Sequence, residues 1–487
     1  MNIWRAMSHP ALFRCCTAVV LFVLTSALTQ AQPTDAQIKE ILTQRTDVDK
    51  QAVGLAVVIA NGDQVRIVMQ GFQALDKAVP ISADTLFEIG SITKTFTALL
   101  LADMVIKGEL KLDDPVEKWL PQGLAVGLNG LKLRDHTGAP IRLIDLATHR
   151  SGLPRLPDNM PNATRFDPYV DYREQQLLVY LKSREALVET DAGKTTKKRD
   201  EVYAYSNLGF GLLGYVLARA ANMPYDELLQ KRMLTPLGLT STYLNIPRGD
   251  RSRYSDGHYV ENGTTLKQAK HWRFDVIAPA GALLMSAKDM GRYAQAASGA
   301  VDTPLKAAFT LAQKRYGEGM GAKNPQGLGW ILATLNDRAI VNHDGGTGGF
   351  SSTLWVDPER KSAVAVLSNA ARPVTDIGLH LLEPSIPLAN LAPMRATAIA
   401  VDAKSLEQFV GTYVLSPEFK VTIRTRDGKL FAQATGQGEF ELFAKSAAVF
   451  FARITPLEIA FEDIKDGKAA RFQLTQAGST RPAQRVD

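Results

Sequence analysis

In EIGSITKTF, residues 88–96, a serine and a lysine stand three positions apart at the head of an apolar run that includes Phe96, Leu99, Leu100, Met104 and Val105. On a helix, positions i and i+3 share a face, so the Ser91 hydroxyl and the Lys94 amine can come within hydrogen-bond reach. A serine attacks a carbonyl only when a base takes its proton, and a lysine serves as that base only when burial or a neighbouring cation holds it neutral. Chance alone produces this spacing about once in a chain of this length. Two readings therefore stand: a nucleophile beside its base, or a helix cap followed by a surface lysine. The apolar density after Ser91 favours a buried helix, in which a solvated lysine would be out of place.

Two further stretches carry polar groups suited to the same chemistry. YAYSNLGFG puts Tyr205 and Asn207 at the mouth of another apolar helix, where a phenol can relay protons and an amide can bind a substrate carbonyl. The plain alternative is a core aromatic beside an N-cap. NHDGGTGGFSS places His343, Gly345, Gly346 and Thr347 between two strand-like runs, a pattern that also fits a flexible hairpin turn. A second Tyr-x-Asn, Tyr243 to Asn245, precedes Ile246-Pro247 and no helix. The seven histidines show no paired ligand spacing, so no metal site and no cofactor are expected.

These groups need a scaffold, and the chain is long enough for a large domain and a smaller one: 487 residues, 45% hydrophobic and 22% charged. Arg5 and Arg14 precede an apolar run from Ala18 to Leu28 that ends at Thr29-Gln30-Ala31, the pattern of a secretory signal. Residues 1–31 are expected to be removed, leaving no stable membrane anchor and a periplasmic or secreted protein. Cys15 and Cys16, the only cysteines, lie within that signal, so the mature chain has neither disulfides nor thiolate ligands. Without Arg5 and Arg14, 54 cationic face 50 acidic residues, a net charge of +4 that argues for no nucleic-acid partner. The dense basic cluster Lys194, Lys197, Lys198 and Arg199 reads as a solvated loop.

Runs at 53–60 and 64–70 around Asn61-Gly62-Asp63 predict a hairpin. Helical or loop segments dominate to about residue 300, and strand pattern returns at 339–342, 350–356 and 363–368. The expected fold is α+β: an antiparallel sheet of terminal strands flanked by helices, with a mostly helical subdomain, over residues 32–383. Pro384, Pro387 and Pro393 mark 384–402 as a linker, and short strands with Gly and Asp between them make 403–487 a small all-β, barrel-like domain.

In this order, the three stretches resemble the serine β-lactamase and penicillin-binding protein family, in the branch of class C β-lactamases, D-Ala-D-Ala carboxypeptidases and related esterases. The resemblance spans about residues 40–375, including LIDLATHRSGLP (143–154), whose His149 reads as structural, and PAGALLMSAKDMGRYAQA (279–297). It implies a β-lactamase/transpeptidase-like fold, with Ser91 as nucleophile and Lys94 and Tyr205 sharing general-base and general-acid duty. Asn207 would hold the substrate amide, and the N–H groups of Ser91 and Gly346 would form the oxyanion hole. The third motif is normally Lys-Thr-Gly, but here His343-Asp344-Gly345 occupies its place. The missing cation and the added Asp344 predict weaker recognition of substrate carboxylates, improving as the imidazole gains charge toward about pH 6. The implied activity is hydrolysis, through an acyl-enzyme, of D-alanyl peptides or β-lactams, the partner being a small molecule or a peptidoglycan peptide. A carboxylesterase with the same apparatus and a catalytically silent penicillin-binding module are the alternatives.

Overall fold

Alternation along two strands from opposite ends of the main domain sets its layers. Ala56, Val58 and Ala60 enter one apolar core while Leu55, Val57 and Ile59 enter another, and Ala363, Ala365 and Leu367 alternate with Val364 and Val366 in the same way. A strand with both faces covered needs apolar residues throughout, and 54–60 and 362–368 are buried at every position. Gly54–Asn61 and Ser362–Ser368 pair antiparallel from Leu55↔Ser368 to Asn61↔Ser362. The sheet of eight strands runs in the order Gln64–Gly71, Gly54–Asn61, Ser362–Ser368, Ser351–Asp357, Arg338–Gly346, Ile331–Leu335, Gly321–Gln326, Gly317–Gly319. Its neighbouring strands are antiparallel, as the sequence predicts.

This computed structural model describes residues 32–121, 131–135, 137–161, 167–191, 203–246, 248–261, 265–319, 321–416, 419–435, 438–476 and 479–487. The signal segment with Cys15 and Cys16, and the basic cluster at 194–199, lie outside the described residues.

The helix Thr93–Ile106 lies in the larger core on one face of the sheet, buried from Thr93 to Met104 although Thr93, Lys94, Thr95, Thr97 and Asp103 are polar. It meets the helix Asn207–Ala220 within the larger core. A 3-10 turn, Gly90–Ile92, joins it to the short strand Leu86–Glu88, so the regular helix starts at Thr93 and not at Ser91. Gly90 adopts φ +49°, and a Cβ there would stand 2.5 Å from the backbone nitrogen of Gly346. Only glycine allows this approach.

The C-terminal part is a closed barrel of eight antiparallel strands from Gly411–Ser416 to Ser479–Arg485, with closure at Tyr413↔Arg485 and Val414↔Gln484. Its core, including Phe409, Tyr413, Phe450, Phe461 and Phe472, shares no residue with the two cores of the main domain. Between them, the stretch 384–402 is held from both sides. Arg45 donates to the Ala389 carbonyl (3.2 Å), Arg395 pairs with Asp49 (3.2 Å), and the Ile399 N–H donates to the Ala444 carbonyl (2.9 Å).

Candidate active site

Threonines spaced along the helix Thr93–Ile106 hold the chain at 279–283. Thr97 Oγ1 donates to the Pro279 carbonyl (2.7 Å), and the Leu283 N–H donates to Thr93 Oγ1 (3.1 Å). The Ala280 carbonyl is thereby fixed against Lys94, whose Nζ lies 2.6 Å from it and 2.9 Å from Ser91 Oγ. Lys94 is fully buried, and among the described residues no carboxylate pairs with it. Burial, and secondarily the charge of Arg155, hold its amine well below the ordinary lysine range. Nζ donates to both oxygens, and an amine that gives up its extra proton readily can turn its lone pair to the Ser91 hydroxyl. Ser91 itself is partly exposed in the middle of an otherwise buried run, 85–104.

Tyr205 reaches the same place by backbone pairing of its loop. His149, at φ +58°, accepts the Ala204 N–H on its carbonyl (2.9 Å) and the Ser206 N–H on Nδ1 (3.0 Å). Ser206 caps the next helix by accepting the Gly209 N–H (2.8 Å), and the Asn207 N–H donates to the Arg155 carbonyl (3.0 Å). The cap is therefore Ser206, and Asn207 keeps its amide for other partners: Nδ2 donates to Tyr169 Oη (2.9 Å), while buried Oδ1 has no partner among the described residues. The Tyr205 ring lies 4.9 Å from Lys94 Nζ, 4.4 Å from the His149 ring and 6.4 Å from the His343 ring, centroid distances throughout. Burial raises its phenol, with a Ser91 hydrogen bond and the Arg155 charge opposing, so the hydroxyl keeps its proton.

On the strand Arg338–Gly346, neighbouring side chains take opposite faces. His343 is buried toward Tyr205, and its Nδ1 donates to the Asp344 carbonyl (2.6 Å). Burial, then the Lys94 charge, push its imidazole down to about 3. That corrects the expectation of a histidine charging near pH 6. Asp344 is the second correction: its carboxylate turns to the other face, where it accepts from Thr353 (2.5 Å) and Thr375 (2.8 Å).

Backbone phase places the remaining donors. The Thr347 N–H donates to the Phe350 carbonyl (3.0 Å), and the ladder continues as Gly346↔Ser351 and Gly345↔Ser352. Hydrogen-bonded and non-hydrogen-bonded pairs alternate in an antiparallel ladder, so Gly346 belongs to the second kind and its N–H points away from Ser351, on the side of Gly90. Gly345 must be glycine, since a Cβ would meet the Ile89 carbonyl at 2.0 Å. Thr347 is buried in the turn, where its Oγ1 lies 3.5 Å from the Gly349 nitrogen. Tyr243 of the second Tyr-x-Asn bonds Asp250 (2.9 Å) and the Thr240 carbonyl instead.

Sequence reasoning passed over Arg155, Tyr169 and an aromatic wall in which Phe274 stacks on Tyr169 at 4.8 Å and Trp272 meets its edge at 5.3 Å. No periodicity marks these loop residues. A hydroxyl beside an amine whose proton affinity is lowered by burial, a protonated phenol opposite and two backbone donors can together open an acyl bond.

Comparison with known proteins agrees with this geometry. The beta-lactamase family model matches residues 35–381. The chain belongs to the beta-lactamase family. It is 28% identical to a beta-lactamase of Providencia stuartii over 77% of this chain and 94% of that one. It is also 28% identical to the D-alanyl-D-alanine-carboxypeptidase/endopeptidase AmpH of Escherichia coli K12, over 65% and 79%. The octameric penicillin-binding protein homologue from Pyrococcus abyssi shares the fold with TM-score 0.61 and 21% identity, over 92% of this chain and 99% of that one. A domain of unknown function (DUF3471) matches 395–485, the barrel. As a member of the beta-lactamase family, the protein is a serine hydrolase.

Proposed function

We propose that this protein is exported and hydrolyses D-alanyl peptides or β-lactams through an acyl-enzyme on Ser91. The observation that carries the reading is the buried, carboxylate-free Lys94 amine 2.9 Å from Ser91 Oγ. Lys94 takes the hydroxyl proton as Oγ bonds to the substrate carbonyl, and the oxyanion rests on the N–H groups of Ser91 and Gly346. The leaving amine takes a proton from Tyr205 as its bond to carbon breaks, and the Lys94 ammonium returns one to the phenolate. Water then attacks the ester, gives its proton to Lys94, and Ser91 Oγ leaves with that proton. Asn207 and the Tyr169 wall hold the acyl side.

A carboxylesterase is the second reading, favoured by the neutral His343 where the family motif normally has lysine. Labelling with a fluorescent penicillin, localising the adduct by mass spectrometry and following its loss tests the assignment. An adduct off the Ser91 peptide overturns it, and a label that never leaves indicates a silent binding module. A panel of D-Ala-D-Ala peptide, cephalosporin and p-nitrophenyl esters separates peptidase, lactamase and esterase. Recovery of a periplasmic or secreted protein beginning at Gln32 tests export.

A further inference from the structure

We infer that the guanidinium of Arg155 forms the carboxylate subsite of this enzyme, in place of the cation absent at position 343. The inference rests on the acyl-enzyme reading above and adds how the substrate is oriented.

A D-alanyl peptide or a β-lactam carries a carboxylate near its scissile bond, and a site that turns it over needs a charge to meet it. Neither of the nearest basic side chains serves. Lys94 is wholly buried beneath Ser91 and committed to the Ala280 carbonyl, and His343 gives its Nδ1 proton to the Asp344 carbonyl. Arg150 is buried and donates to the Glu318 carbonyl, while Arg273 is paired with Asp167 at 2.8 Å.

Arg155 is different in each respect. Its side chain is exposed, and no ion pair engages it among the described residues. Its guanidinium carbon lies 5.2 Å from the centroid of the Tyr205 ring, the ring that Lys94 and His343 also approach. The main chain under it is anchored to the site, because the Arg155 carbonyl accepts the N–H groups of Asn207 (3.0 Å) and Leu208 (3.4 Å). Its charge acts on Lys94, His149, Tyr169, Tyr203 and Tyr205 alike. A planar guanidinium stacked on an aromatic face keeps its edge free for a bidentate carboxylate, which an ammonium cannot match. Another exposed cation, Lys270, lines a separate recess of about 240 Å³ with Gly348, Arg453 and Ile454.

The test uses two aryl esters that differ only in a meta carboxylate on the leaving group, at a pH where acylation has reached its plateau. Wild type, Arg155→Gln, Arg155→Lys and Lys270→Gln are assayed in parallel. Arg155→Gln is expected to lower the carboxylate-to-neutral ratio of kcat/KM by about 10- to 100-fold, the range of a charge-assisted hydrogen bond, chiefly through KM. Arg155→Lys should recover part of it, and Lys270→Gln should leave the ratio in place. An equal loss on both esters, or a ratio that follows Lys270, overturns the inference while leaving the acyl-enzyme reading intact. If wild type turns over neither ester and Ser91 takes no label, that reading fails and the inference falls with it.

Discussion

Lys94 Nζ stands 2.9 Å from Ser91 Oγ and 2.6 Å from the Ala280 carbonyl, with its whole side chain buried. Activity and stability should separate at this residue. Lys94→Met removes the base and is expected to slow acylation by about 10²- to 10⁴-fold. Its melting temperature should not fall, because an apolar chain of similar shape replaces a desolvated amine. Ser91→Ala should abolish labelling and change stability by no more than about 0.5 kcal/mol. Penicillin labelling rates and thermal unfolding check both.

The acid limb of acylation follows from the same amine. The unprotonated form is active and burial lowers its pKa, so kcat/KM should rise with pH through an ionisation well below the usual lysine value of 10.5 and then level off. Arg155→Gln deletes a nearby positive charge and should move that limb to higher pH. A limb that stays in place would show that Lys94 does not set it.

His343 makes an acid-stability prediction. Its folded pKa is about 3 against 6.5 when unfolded, so below pH 6.5 the unfolded chain binds the extra proton. Stability should be complete above pH 6.5 and decline as pH falls toward 3, by about 1.4 kcal/mol per pH unit for one proton. His149, lowered the same way, adds to the slope. Denaturant titrations of wild type and His343→Gln should differ by one proton's slope across this window. The penicillin-to-ester preference of wild type should stay flat between about pH 5 and 8, and His343→Lys should raise it.

Gly90 tests the oxyanion geometry. Alanine there meets a left-handed φ and the Gly346 nitrogen at 2.5 Å, so Gly90→Ala must part the two backbone donors. The expected loss in kcat is about 10²-fold or more, comparable with removing one oxyanion donor. Reversible binding of a product peptide should change far less; an equal loss in both would indicate general misfolding.

Separate cores predict a separable barrel. A chain ending at Arg395 keeps Ala389 on Arg45 and Arg395 on Asp49. It should stay folded and take label on Ser91, with a lower melting temperature because the face toward the barrel is uncovered. Insoluble protein would mean that the barrel completes the main core.

Spacing and periodicity are local properties, and what depends on them was legible in the chain. The hairpin at 54–71, the terminal strands sharing one sheet, the short strands of the barrel and the order Ser91, Lys94, Tyr205, Asn207, His343 could all be read without coordinates. Protonation could not, because it depends on which distant segments remove water. Burial and Arg155 hold the Lys94 amine well below the ordinary lysine range, and burial beside Lys94 holds the His343 imidazole down to about 3. Side-chain and ladder phase were decided the same way. Asp344 faces Thr353 and Thr375, and the Gly346 N–H lies on the side of Gly90, only because the strand pairs in one register with its neighbour. Tyr205 owes its position to His149 and Arg155, more than fifty residues and fifty residues earlier in the chain, whose backbone groups hold its loop. No local pattern encodes such pairings; they form when the packed core brings the two loops together.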